Sequence, residues 1–195
     1  MIKEIVLGYW YGANVRDIIK ADRYGRELTT GALFMKLKDT YFSKARDFMA
    51  FVLKDHPDFA GTIGSVKPDD LAFRRLVLHT IAHALVSRLP VTSGIGMDNF
   101  GYLYDLKQNS VVVYETAPGG LGACAELTQK TSPGEPIVVE FFSVLKEDLT
   151  RCTCDDRCKY CVAIQSCSQW NKELSRFALG PMLRVKDPGQ MSWGF

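Results

Sequence analysis

The chain has 195 residues, 47% of them hydrophobic and 24% charged, with a formal net charge of +2. That length supports one good core with at most a small appendage, and the near-neutral balance excludes the overall electrostatic field of a strongly basic nucleic-acid binder. No stretch approaches the ~20 consecutive apolar residues that cross a bilayer, so no membrane partner is expected.

Residues 2–11 are apolar, aromatic and β-branched and predict a strand. The same segment lacks the basic region and cleavage site of a signal peptide, which predicts a cytoplasmic, reducing location. Gly25 and its polar neighbours predict a turn, and residues 29–38 a second strand with Leu33, Met35 and Leu37 alternating. Phe42, Ala45, Phe48, Met49, Val52 and Leu53 recur at helical spacing over 40–54. A longer helix is predicted from about 68 to 89. Pro68, Asp69 and Asp70 suit its first turn, Leu71, Leu78, Ile81, Ala82, Leu85 and Leu89 give an apolar face, and Pro90 ends it.

Phe100–Asp105 and Val111–Glu115 read as a hairpin. Pro118–Gly122 then turns the chain into a helix expected through about 129, and a loop follows at 132–136. Residues 137–150 carry an apolar run ending in a helical pattern, and residues 168–179 predict another helix with Leu174 and Phe177 facing inward. The segment 183–195 reads as an extended tail.

The strongest chemical signal is Cys152-x-Cys154-x3-Cys158-x2-Cys161-x5-Cys167, which holds five of the six cysteines. In a reducing compartment, thiols so close together are metal ligands rather than disulfides. Thiolate ligands select zinc or an iron–sulfur cluster over magnesium or calcium. A tetrahedral zinc needs four ligands, so one of the five thiols is spare. Cys154, Cys158 and Cys161 are taken as members, with the fourth from Cys152 or Cys167. The run Cys154-x3-Cys158-x2-Cys161 also matches a radical-SAM cluster signature, but the 34 residues after Cys161 are too few for the barrel that goes with it.

Two further constellations stand out. His79 and His83 lie one turn apart on one helix face. Thr80 stands where a metalloprotease motif has glutamate, and no third ligand is evident nearby in sequence. A packed, hydrogen-bonded pair is therefore favoured over a metal site, and alanine at both positions is expected to leave bound metal unchanged. Gly119, Gly120 and Gly122 form a strand–turn–helix junction whose amides suit a phosphate or a nucleic-acid backbone, or simply allow close helix–strand packing. No Walker lysine follows.

Taken together, these segments resemble the zinc-binding C-terminal domain of MrfA-type DNA-repair helicases, related to a domain in DrmB of the DISARM phage-defence system. The resemblance is carried by His79-Thr-Ile-Ala-His83, by Tyr102-Leu-Tyr104-Asp, by Val113-Tyr-Glu115-Thr-Ala-Pro-Gly-Gly-Leu-Gly122, by the cysteine run, and by Asn171-Lys-Glu-Leu-Ser-Arg176. Glu115 stands where that family usually has aspartate. The resemblance implies one zinc ion held by cysteines and a role beside a superfamily-2 helicase or translocase acting on DNA, in repair or phage defence.

The chain itself shows no Walker loop and no acidic box, so an accessory role without catalytic activity is expected. Alternatives are a metal- or phosphate-using hydrolase, or a protein–protein adaptor binding through aromatics such as Tyr9–Tyr11 or Trp193. The expected organisation is a single compact α+β domain: a small antiparallel sheet, packed helices and a zinc-clipped loop near the C-terminus. Residues 1–66 supply strands and a helix, 67–182 the zinc-binding core, and 183–195 the tail.

Overall fold

The computed structural model describes residues 2–6, 24–55, 57, 70–127, 143, 145–147 and 162–182. Its strands are β1 (Ile2–Val6), β2 (Tyr24–Leu28), β3 (Ala32–Lys36), β4 (Phe100–Asp105) and β5 (Ser110–Glu115). Its helices are α1 (Asp39–Asp55), α2 (Leu71–Ser93) and the short α3 (Ala123–Glu126), with 3-10 turns at Met97–Asn99 and Arg176–Leu179. β1 and β2 pair as an antiparallel ribbon. The other strands form an antiparallel sheet in the order β3-β5-β4. The fold is therefore α+β, as the sequence implies.

The sheet's period-2 alternation decides what faces the core. Tyr102 pairs with Val113 and Tyr104 with Val111, while Leu33 and Met35 pair with the same two valines from the other edge. These residues share the face turned to α2, where Val111 and Val113 are buried. Phe34 and Leu103 point the other way and are exposed.

Helix α2 is buried along an unbroken run from Leu76 to Ser87, not along one stripe. A helix apolar on nearly every side belongs at the centre of a domain, and α2 sits there. β4 and β5 cover one side of it, and α1 and the Arg176–Leu179 turn pack around it. Arg74, in its first turns, joins three elements. Its guanidinium donates to Asp39 at 3.1 Å and to Asn109 at 2.8 Å, and lies over the Phe42 ring.

Asp70 caps α2, accepting the Ala72 N–H at 2.8 Å. Asp70→Ala is expected to cost about 1 kcal/mol in urea denaturation, the usual worth of an N-cap.

Three local expectations are corrected. Pro90 does not end α2: the helix runs to Ser93 and stops at Gly94, which takes the left-handed conformation at φ 69° and donates to Pro90 O. Proline forfeits one hydrogen bond but tolerates helical φ, whereas a left-handed glycine stops the helix outright. Gly25 is no turn, because it lies in β2 opposite Ile5. Residues 168–179 are not a helix, since Trp170, Asn171 and Glu173 adopt positive φ and only Arg176–Leu179 makes a helical turn. Leu174 and Phe177 are nonetheless fully buried, as their spacing suggests.

Of the 137–150 pattern, Ser143 and Leu145–Glu147 are helical. Cys152, Cys154, Cys158 and Cys161, the loop at 132–136, the aromatics Tyr9–Tyr11 and Trp193, and the tail 183–195 lie outside the described residues.

Candidate metal centre

His79 and His83 project from α2 on the side covered by β4, with ring centroids 4.3 Å apart. Both are fully buried. Tyr102, central in β4, places its hydroxyl 3.0 Å from His79 Nε2 and 3.1 Å from His83 Nε2. The third member comes from far along the chain. Cys167 Sγ lies 3.5 Å from His79 Nε2 and accepts the Tyr102 hydroxyl at 3.4 Å. The donor atoms of His79, His83 and Cys167 all fall within 4.8 Å of one another. Cys167 is thus a third candidate donor beside the histidine pair, one that was not evident nearby in sequence.

The surroundings fix the chemistry of these atoms. His83 Nδ1 lies 2.7 Å from the carbonyl oxygen of Val162. A carbonyl only accepts, so the ring proton sits on Nδ1 and Nε2 presents a lone pair to the cluster. This carbonyl–imidazole arrangement is the one that orients metal-bound histidines.

Burial first, and neighbouring His79 second, push His83 down to about 3, against the pull of the Val162 carbonyl. His79 is also lowered, chiefly by burial, although the backbone of Glu173 and Lys172 partly offsets this. Both rings are therefore neutral at pH 7, the form that binds metal. His79 Nδ1 itself has no well-directed hydrogen bond among the described residues.

Cys167 sits in a tight turn that wraps backbone amides around its sulfur. The N–H groups of Gln169 and Asn171 each donate to Sγ at 3.3 Å. Asn171 holds this turn open from the side: its Oδ1 accepts the Ile164 N–H and its Nδ2 donates to the Ile164 carbonyl, both at 2.9 Å. Asn171 takes φ 55° to do so, a conformation that asparagine tolerates better than most residues.

The glycine junction holds an anion of its own. The Glu115 carboxylate is fully buried. Its Oε2 accepts the N–H groups of Leu121 and Gly122, and its Oε1 accepts the Cys124 N–H at 2.7 Å. Gly119 N–H donates to Thr29 O and Gly120 N–H to Ala117 O. All three glycine amides are thus used within the chain. Gly31 and Gly120 lie so close that a Cβ on either would stand 2.9 or 3.1 Å from this carboxylate.

Burial alone would raise the Glu115 carboxyl, but the amides of Cys124, Leu121 and Gly122 together outweigh it and hold it below the ordinary carboxylate value. The same burial, with Glu115 beside it, pushes the Cys124 thiol up to about 12, so Cys124 is a packed, protonated side chain.

Two buried imidazoles and a half-buried thiol, set in a small α+β domain, form a group that could hold a metal ion. Residues 81–162 match the family model described as the MrfA Zn-binding domain, which supports a zinc-binding domain of the MrfA type in that stretch. No curated protein and no solved structure matches the chain. The matched stretch includes His83, the Glu115–Gly122 junction, Cys124 and the four clustered cysteines Cys152 to Cys161, and it ends before Cys167. The family match and the His79–His83–Cys167 cluster together support a bound metal, and imidazole and thiolate ligands suit zinc. Among the described residues no helix is long and apolar enough to cross a membrane.

Proposed function

We propose that this chain is a zinc-binding accessory module that works beside an ATP-driven superfamily-2 helicase or translocase on DNA, without a motor of its own. The match of residues 81–162 to the MrfA Zn-binding domain is the observation that carries this reading. Two features support an interaction with DNA. After residue 150 the chain has seven Lys or Arg against four Asp or Glu. A depression of about 680 Å³, where the start of α1 meets the β4–β5 turn, is lined by Lys36, Lys38 and Lys107 together with Asp39, Gln108 and Asn109. A local basic face of this kind can track a phosphate backbone even when net charge is close to zero.

Tagged full-length chain, cross-linked in its native cells, is expected to capture a Walker-motif ATPase. In a salt titration with a labelled DNA duplex, replacing Lys36, Lys38 and Lys107 with glutamate is expected to weaken binding. The log–log salt slope should fall by roughly 1 for each phosphate that is no longer neutralised. Capture of no ATPase, combined with binding that these substitutions leave unchanged, would sink the reading.

A further inference from the structure

We propose that His79, His83 and Cys167 hold a zinc-class ion of their own, separate from any ion taken by Cys152, Cys154, Cys158 and Cys161. The inference rests on the zinc-domain reading only for the ion in the cysteine run; the geometry of the second site stands by itself.

The first argument is dimensional. Zinc bonds of ~2.05 Å to imidazole and ~2.3 Å to sulfur, in a tetrahedron, put a nitrogen and a sulfur about 3.6 Å apart, and a nitrogen and an oxygen about 3.3 Å apart. The observed Sγ to His79 Nε2 separation is 3.5 Å. Tyr102 Oη lies 3.0, 3.1 and 3.4 Å from His79 Nε2, His83 Nε2 and Cys167 Sγ. These four separations are close to the edges of a zinc-sized tetrahedron, with the Tyr102 hydroxyl standing near the fourth corner.

The second argument is the convergence of donor atoms. With Nδ1 turned to the Val162 carbonyl, His83 presents Nε2 to the cluster. Cys167 Sγ faces the same point, held there by the N–H groups of Gln169 and Asn171. Two imidazole nitrogens and a sulfur brought within 4.8 Å of one another are the donor types that zinc takes.

The third argument concerns supply. Besides the packed Cys124, the matched stretch contains the four clustered cysteines Cys152, Cys154, Cys158 and Cys161, enough for a tetrahedral set, and it stops short of Cys167. The fifth thiol is then free to join the histidines.

Metal analysis of the zinc-loaded full chain tests this. Wild type is expected to carry two equivalents, and Cys167→Ser and His83→Gln one each. Cys158→Ser is expected to leave the other ion, whose cobalt form shows roughly a quarter of the thiolate charge-transfer intensity of a four-cysteine site, because it has one sulfur ligand. X-ray absorption on wild type needs no variant to fold, and imidazole scattering is expected in it.

Zinc content unchanged in Cys167→Ser overturns the proposal. So does a spectrum without imidazole, or a single equivalent that both Cys158→Ser and Cys167→Ser abolish. A single equivalent lost in Cys167→Ser but kept in Cys158→Ser supports this site and removes the ion from the cysteine run instead.

Discussion

Glu115→Ala is expected to destabilise the protein by about 3–5 kcal/mol, measured as the shift in urea unfolding at pH 7. The carboxylate accepts the Leu121, Gly122 and Cys124 amides together. Alanine strands those three donors in a buried place, and each stranded donor costs about 1–3 kcal/mol. Glu115→Gln keeps the shape but not the chemistry. Both carboxylate oxygens face N–H groups, so the glutamine NH2 must point at donors on one side. A loss of about 2 kcal/mol is expected for the glutamine variant.

The pH dependence separates charge from shape. The Glu115 carboxyl is held below its ordinary value in the folded state. Its stabilising contribution is therefore complete above the unfolded pKa of about 4.3 and is lost as pH falls through the lower folded value. The gap between wild type and Glu115→Gln should narrow as pH drops through that window. A gap that stays constant would mean that the charge on Glu115 contributes nothing and only its shape matters.

Local patterns were legible in the sequence, and convergence over long separations was not. The hairpin, α1 and the existence of α2 follow from period-2 and helical spacings, which are properties of neighbouring residues. The positive φ values at Trp170, Asn171 and Glu173 leave no such imprint: Asn171 and Glu173 adopt them to shape the turn around Cys167 and Ile164. Pro90 misleads because its bulk reads as a stop while Gly94, four residues on, supplies the actual one.

The histidine pair was visible, but its partner thiol lies 88 positions away from His79 and reaches it only once β4 and the Cys167 turn have closed on α2. Two clues in the sequence point there when taken together: five thiols for four zinc positions leave one spare, and a histidine pair at ligand spacing lacks one. The glycine junction shows the converse. Its residues allowed either an external anion or close helix–strand packing, and the fold brings Glu115, from the strand just before it, onto its amides.

Stripping the metal is expected to lower the melting temperature by roughly 8–16 °C. Zinc held at about a thousand times its dissociation constant stabilises by ~4 kcal/mol, and each kcal/mol shifts a domain of this size by roughly 2–4 °C. The loss should not be uniform. Residues 162–175 have no regular helix or strand. They are fastened by individual bonds: Val162 O to His83, Gln169 Nε2 to Tyr104 at 2.6 Å, Ser175 N to Thr80 Oγ1 at 3.0 Å, and the sulfur of Cys167 to the histidine cluster.

A segment held by a few side-chain bonds opens at lower cost than a helix buried in the core. Amide exchange in the chelated protein should therefore rise first over 162–175, while the centre of α2 stays protected and the sheet behind it persists. Returning zinc should restore both the melting temperature and the protection, and magnesium, which prefers oxygen ligands, should restore neither. Equal loss of protection across α2 and the 162–175 segment would mean that the metal supports the whole core rather than fastening its last turn.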